Sequence, residues 1–518
     1  MLARRLGRRW LPVACALAAV ACGGQAVAGA SAAATVDQAV TAGSDATAAP
    51  TAGAASAASG DWTQFDYDAQ RSGVGPAATG IDAADVGRLR LRAVRIDGIA
   101  DSSAVALAGV KLDGSRHDLI AVTTSYGDTI AIDPASGRRL WEFRPGGVNA
   151  SPGNPQVTTA TPIIDPDRRF IYTASPNGVI HKLSVSTGTQ VWARSVTFDP
   201  GHEKLASALN IDGGRLVVVT GGYIGDPPPY DGHVVTIDRA SGRIGHVWNS
   251  ECSDRHALIR AASCPVTNTR GDNAIWARAG AVIEPGSGRM LVATGNGPFN
   301  GRTSWGDSVL ELSPDASSLL HNWTPRNQQQ LSGSDVDVGS TAPALLPTRG
   351  GPALAVQGGK DGRLHLLDLA QLDGTRGGAS ARLGGELSET SAPRGAEVFT
   401  APAVWSSARR VLVFVADGSG TAAYRLVGGR RPRLAQVWQD GEAGTSPVLA
   451  GGLLYVYDPG GRIAIRRPLT GALLRSLPAG AGHWNSPIVV GGRIIEPTGA
   501  YGSDASSSTI DIYHLPGR

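Results

Sequence analysis

The chain reads as an all-β protein, an eight-bladed β-propeller of four-stranded antiparallel blades closed by an N-terminal strand. Three observations predict this. A module built on an Asp-x-x-x-Gly turn and a strand ending in Trp recurs, with a period of about 40–60 residues that suits four-stranded units set in a ring. Val, Ile and Leu alternate with period two, which is strand chemistry, and no stretch offers a long helix. The last module, Ser486 to Ile512, supplies only three strands.

Taken in order, the chain opens on an export-type leader over residues 1–28. Arg4, Arg5, Arg8 and Arg9 form a positive region and residues 11–21 an apolar core. That core is too short to span a bilayer. Two processing sites compete. Ala19-Val-Ala-Cys22 resembles a bacterial lipoprotein box, with Cys22 lipidated, and Ala26-Val-Ala28 is an ordinary small-x-small site. Either leads out of the cytoplasm, to the periplasm, the outer membrane or the medium. Membrane attachment is expected only through a lipidated Cys22. Residues 29–60 are rich in Ala, Ser, Thr and Gly without an aromatic residue, so they bury too little to offset ordering and read as a flexible tether.

The propeller occupies residues 61–518. Innermost strands are predicted at Ser103–Ala108, Thr161–Asp165, Ser207–Ile211, Arg278–Glu284, Thr341–Leu346, Thr400–Trp405, Thr445–Leu449 and Ser486–Val490. The turn-and-Trp signature is clearest at Ile132-Asp-Pro-Ala-Ser-Gly-Arg-Arg-Leu-Trp141 and recurs ending at Trp192 and Trp248, with degenerate copies at Trp323 and Trp438. Leu89–Ile96 is the strand missing from the last blade. Pairing first with last removes an exposed sheet edge.

Composition narrows the function classes. The formal charge is +3, from 47 basic and 44 acidic residues. Without the four leader arginines the chain is nearly neutral, so no field of one sign gathers nucleic acid or anionic lipid. Cys15 and Cys22 belong to the leader. Cys252 and Cys264 remain, an even pair in an exported chain, and are expected to form a disulfide. No Cys-x-x-Cys-His occurs, so no c-type haem is attached here.

Strand alternation sorts the loops. In a blade whose strands run outward from the axis, the crossover into the first strand and the turn between the second and third share one face. Trp276 and Asp337 lie at the entries to the fourth and fifth blades. Asn296, in Thr294-Gly-Asn-Gly-Pro-Phe-Asn300, and Lys360, before Asp361-Gly362, lie in the second-to-third-strand turns of the same blades. All four are expected at one mouth near the axis, where a ligand site belongs. Each also has a purely structural reading. Asn296 suits a left-handed turn, Lys360 a solvated hairpin, Trp276 inter-blade packing and Asp337 a strand-entry hydrogen bond. Their joint placement points to chemistry. His202-Glu203 and His483-Trp484 are rim residues without an assigned role.

These motifs resemble the pyrroloquinoline quinone (PQQ) propeller family over nearly all of 61–518. That family includes quinoprotein alcohol dehydrogenases, polyvinyl-alcohol dehydrogenase and non-catalytic outer-membrane assembly lipoproteins. The Trp repeat is common to all of them. The segment around Asn296, followed by Gly306-Asp-Ser308, resembles the dehydrogenase segment whose Asn binds calcium. Asp335-Val-Asp337-Val-Gly-Ser340 resembles the one carrying the catalytic Asp, and Lys360-Asp-Gly362 the basic residue at the quinone. Trp276 falls two residues out of register with the Trp beneath the quinone ring. The resemblance implies PQQ and Ca²⁺ as cofactors, Asp337 as catalytic base and metal ligand, Asn296 as metal ligand, and Trp276 and Lys360 as quinone contacts. Asp226 stands in the turn where the family has a calcium-binding Glu. The family's adjacent cysteine pair is absent, as is a fused haem domain, so the electron acceptor is expected to be a separate protein. Two functions remain open. One is an exported dehydrogenase oxidising a small or polymeric alcohol. The other is a non-catalytic scaffold propeller.

Overall fold

In this computed structural model the described residues are 60–518 except 113, 149–153, 265–272, 349–352, 373–382, 501–504 and 518. The leader, residues 29–59 of the tether and Cys22 lie outside them. Eight four-stranded antiparallel sheets follow one another along the chain. The innermost strands of blades one to eight are Val105–Leu112, Ile163–Ile164, Asn210–Asp212, Val282–Ile283, Ala344–Leu346, Ala403–Ser406, Val448–Ala450 and Ile488–Val490. Each falls on a predicted innermost strand. The outermost strand of the eighth blade is Arg90–Asp97, paired antiparallel along its whole length with Ser507–His514. The ring is therefore closed by the N-terminal strand read from the sequence. Among the described residues no helix is long and apolar enough to cross a membrane.

Most of the observed innermost strands start later than predicted, for a local reason. The Ser and Thr residues at blade entries bond sideways to the next blade instead of along a sheet. Thr159 Oγ1 donates to the Ala206 carbonyl at 2.9 Å and Thr341 Oγ1 to the Thr400 carbonyl at 3.0 Å. Ser103 and Ser486 join the first blade to the last, hydroxyl to hydroxyl, at 2.7 Å. These bonds satisfy buried polar groups that the sheet ladder leaves over.

The apolar core lies between blades. Val356 and Leu364 of the fifth pack with Val413 and Tyr424 of the sixth, and Tyr172 and Ile180 of the second with Val218 and Val235 of the third. The repeated Trp explains the signature. Trp141 Nε1 donates to the Val185 carbonyl of the next blade at 2.7 Å. Its ring covers Gly188, where an added Cβ would stand 2.5 Å from the indole. Trp192 lies on Gly242 and Trp438 on Gly471 in the same way. Each turn glycine thus serves a close approach as well as its positive φ. Trp248 departs from this. Its signature is two residues longer, and the ring is fully buried beside Ile275 and Trp305 instead of lying on a turn. Cys252 and Cys264 are joined in the crossover to the fourth blade.

One feature carried no sequence signal. Before the closing strand, residues 61–81 run as a strap over the innermost strands. The strap bonds to the first blade through Trp62 and Ala106, and the Thr63 and Ala69 carbonyls accept from Ile164 and Ile283. Further on, the Ser72, Gly73 and Thr79 carbonyls accept from Val404, Leu449 and Gly492. Arg71 anchors it. Its guanidinium donates to the carbonyls of Phe65, Leu209 and Ala279 at 2.8, 2.7 and 3.1 Å. Asp66 beside it is buried, and neither carboxyl oxygen has a hydrogen-bond partner. Burial pushes its pKa well above the ordinary carboxylate range, against the pull of Arg71 and Arg278. Replacing Arg71 by Leu strands three carbonyls and removes the nearest cation. We expect Arg71→Leu to lower unfolding stability by about 3–5 kcal/mol, read as a shifted urea midpoint. An unchanged midpoint would show that the strap is held by its backbone bonds alone.

Candidate functional site

The alternation of strand direction brings the loops of blades four and five together. Asn296 sits between strands Met290–Ala293 and Val309–Leu312, and Lys360 between Leu354–Gln357 and Arg363–Asp368. Trp276 and Asp337 sit in the crossovers into those blades. The local backbone leaves little slack. Lys360 N donates to the Asp337 carbonyl at 3.0 Å, and Gln357 Nε2 donates to the Val338 and Thr341 carbonyls at 2.6 and 2.7 Å. A Cβ on Gly339 would lie 2.3 Å from the Thr294 carbonyl. Only glycine lets the crossover into the fifth blade approach this turn of the fourth so closely.

The four residues converge through a fifth, Asp335. Lys360 Nζ stands 2.8 Å from Asp335 Oδ1 and 2.8 Å from Asp337 Oδ1. Trp276 Nε1 donates to Asp337 Oδ2 at 3.0 Å, and Lys360 Nζ lies 5.4 Å from the centroid of the Trp276 ring. Asn296 Nδ2 donates to Asp335 Oδ1 at 2.8 Å. The amide of Asn296 therefore meets Asp335, and reaches Asp337 through the shared lysine. The carboxylates differ in access: the Asp335 side chain is 68% exposed and that of Asp337 only 1%. Asp226 lies in the corresponding turn of the third blade. Its carboxyl accepts from Tyr230 OH at 3.1 Å and feels the charges of Asp335 and Lys360.

Several members carried no assigned role in the sequence reading. Asp307, of the Gly-Asp-Ser motif, is buried beside this group. Its Oδ2 accepts from Gln328 Nε2 at 3.2 Å, whereas Oδ1 has no hydrogen-bond partner. Gln328 is carried by a six-residue helix, Gln328–Gly333. Trp484 stacks on Trp276, with ring centroids 5.8 Å apart and planes 18° from parallel. The visible signals were the Asp-x-Asp spacing for Asp335 and the blade-entry position for Trp484.

Charge is out of balance here. One ammonium serves the carboxyls of Asp335, Asp337 and Asp307. Burial pulls the Lys360 ammonium down, but Asp337 and Asp335 outweigh it and hold the amine well above its usual range. Burial dominates for the acids. It pushes Asp337 up despite Lys360 and Trp276, and pushes Asp307 well up with Asp337 adding repulsion. Lys360 stays charged, and the unfavourable energy falls on the buried acids. Asn296 Oδ1 is also buried without a partner. Uncompensated carboxylates and an orphaned amide oxygen are the donor set of a hard cation. Among the described residues no three carboxylates, imidazoles or thiols form a ready cage. A cation would thus need ligands from outside the chain beside the Asn296 amide and the nearby carboxylates.

Comparison with known proteins places the chain in a family. A family model of the PQQ-type repeat, described as outer membrane protein assembly factor BamB, matches residues 125–477. Quinoprotein alcohol dehydrogenase PedH of Pseudomonas putida is 27% identical over 161 residues, 29% of this chain and 23% of that protein. Quinohemoprotein alcohol dehydrogenase ADH IIB of Pseudomonas putida is 24% identical over 287 residues, 49% of this chain and 39% of that protein. The chain thus spans less than half the length of either relative. Quinohemoprotein alcohol dehydrogenase from Comamonas testosteroni superposes with a TM-score of 0.63 at 16% identity, over 88% of this chain and 81% of that one. A europium-containing methanol dehydrogenase gives 0.63 at 14% identity, over 88% and 98%. At these identities the likeness of the two structures speaks for the fold. The matched span of the family model is most of the propeller, and the chain belongs to the PQQ-repeat family whose model is described as outer membrane protein assembly factor BamB.

Proposed function

We propose that this protein is an exported PQQ-dependent dehydrogenase that oxidises a small or polymeric alcohol with help from a bound cation such as Ca²⁺. The observation that carries this reading is the carboxylate pair Asp335 and Asp337 on one lysine, next to a half-exposed Trp and a buried amide oxygen without a partner. When bound, the quinone would accept a hydride and the cation would act as Lewis acid. The remaining chemistry belongs to the chain. Asn296 Oδ1 and Asp337, with Asp226 from the third blade, would hold the cation. Trp276 would support the planar ring by its face and Lys360 would pair with its oxygens. The sequence reading places the base at Asp337. We assign it instead to Asp335, because Asp335 is the member of the pair that solvent reaches. Asp335 would take the hydroxyl proton while Asp337 keeps Lys360 and Trp276 in place. The electrons would pass to a separate acceptor protein, and attachment to a membrane would run through lipidated Cys22.

A scaffold function is the second reading. It is favoured by the family model, whose description is that of an assembly factor. Cofactor binding separates the two. Incubated with PQQ and Ca²⁺, the purified protein is expected to take up one equivalent of quinone and reduce a dye with alcohols. Asp335→Asn is expected to keep the quinone and lose turnover by about 10²–10⁴-fold. Asp337→Asn is expected to lose both. No quinone uptake would leave the scaffold reading.

A pH dependence follows from the buried acids. Asp307 and Asp337 have folded-state pKa values above those of the unfolded chain. The folded protein therefore holds more protons, and their contribution to stability is complete below about pH 4 and lost as pH rises through the raised values. Metal-free protein is expected to show this loss in thermal melts, and Asp307→Asn to reduce it. Added Ca²⁺ should raise the melting temperature more at pH 7 than at pH 4. Asn296→Ala should abolish that difference. A Ca²⁺ effect independent of Asn296 would rule out this amide as ligand.

A further inference from the structure

We infer that Trp484 is the second wall of the cofactor cleft, so that a planar quinone is held between two indoles, Trp276 and Trp484. This rests on the dehydrogenase reading above and concerns the face of the ring opposite Trp276. Both indoles are only half-buried and lie nearly parallel. A third ring continues the stack, with His483 lying 5.1 Å from Trp484 at 14°.

The wall is built from beneath. Trp484 N donates to Asp101 Oδ1 at 2.9 Å, and the Trp484 carbonyl accepts from Arg278 Nε at 3.1 Å. Asp101 Oδ2 also meets His483 Nδ1 at 2.9 Å. Asp101 and Arg278 are both fully buried, and Arg278 is further held by the Thr159 carbonyl at 2.8 Å and Thr161 Oγ1 at 2.9 Å. A loop tryptophan pinned on both sides of its peptide is a preorganised element. A ring between two parallel rings needs a spacing of about 7 Å, twice a carbon–carbon contact. The observed 5.8 Å is a centroid separation that includes any sideways offset of the rings, so a quinone enters only if the indoles part. Torsion about the side-chain bonds of Trp484 would part them while the backbone stays pinned.

Charge supports the same ligand. Lys360 Nζ lies over Trp276 at 5.4 Å and Lys204 Nζ over Trp484 at 6.0 Å. Two ammonium groups thus flank the stacked indoles. Burial lowers Lys204 to about 8, partly offset by Asp101, so it is charged at neutral pH. With the cation of the dehydrogenase reading balancing the carboxylates around Lys360, these ammonium groups would be left to meet a planar polyanion.

Equilibrium dialysis of the full chain against PQQ with Ca²⁺, read by quinone absorbance, tests the inference without turnover. Trp484→Leu is expected to weaken binding at least tenfold, as loss of a stacking partner does, with Trp484→Phe recovering most of it. Circular dichroism of each variant confirms that it is folded. Parental affinity within twofold in folded Trp484→Leu, with Trp276→Leu impaired, would overturn the second wall and leave the dehydrogenase reading standing. Should Trp484→Leu fail to fold, Trp484→Phe and Trp484→His decide. Retained binding by both upholds a ring requirement, and equal loss in both overturns it. Absence of quinone binding by the parent protein would overturn both.

Discussion

The docking of one blade on the next through a tryptophan fixes the spacing at three interfaces of the propeller. An indole on a turn glycine joins a hydrogen bond to a buried face in one contact. Trp141 on Gly188, Trp192 on Gly242 and Trp438 on Gly471 repeat it. A side chain on any of these glycines would meet the ring well inside van der Waals contact. The contact therefore ties the angle between blades to residue type at two positions of the module. The eighth blade cannot rely on that alone, because its outer strand comes from the other end of the chain. Pairing Arg90–Asp97 with Ser507–His514 removes the sheet edge that would otherwise remain.

Inside the ring the polar groups follow a different rule. The hydroxyls at the blade entries, Arg71, Arg278 and Asp101 all bond across blades, so each is satisfied only after the blades it joins have docked. Arg278 is the clearest case. It lies at the entry to the fourth blade, yet its partners come from the first, the second and the eighth. The same residues that join the hub also shape the mouth, because Arg278 and Asp101 hold Trp484. Structural and functional layers are continuous here. A substitution in the hub reaches the site through the stacked indoles.

Much of the architecture is legible from residue order. Period-two alternation, turn glycines and a three-stranded final module lead to the wheel and its closing strand, and the parity of strand direction leads to Trp276, Asn296, Asp337 and Lys360 at one mouth. What the pattern could not supply is which atoms meet. Asp335 and Asp337 are neighbours in one motif, and nothing in their order says that one is exposed and the other buried. Trp248 matches the repeat by eye, but a two-residue extension moves its ring from a turn into the core. The strap at 61–81 has no periodicity, because its backbone bonds to several blades in turn and its side chains obey no single face.

The repeat, the closure and the loops that share a face are set by residue order, since these follow from local periodicity and from the two-way alternation of antiparallel strands. Tertiary structure alone decided the pairing of Asn296 with Asp335, the stacking of Trp484 on Trp276 and the burial of Asp307 without a full set of partners. Those contacts join residues up to about two hundred positions apart. Their distances depend on blade rotation and side-chain torsion, which no local pattern encodes.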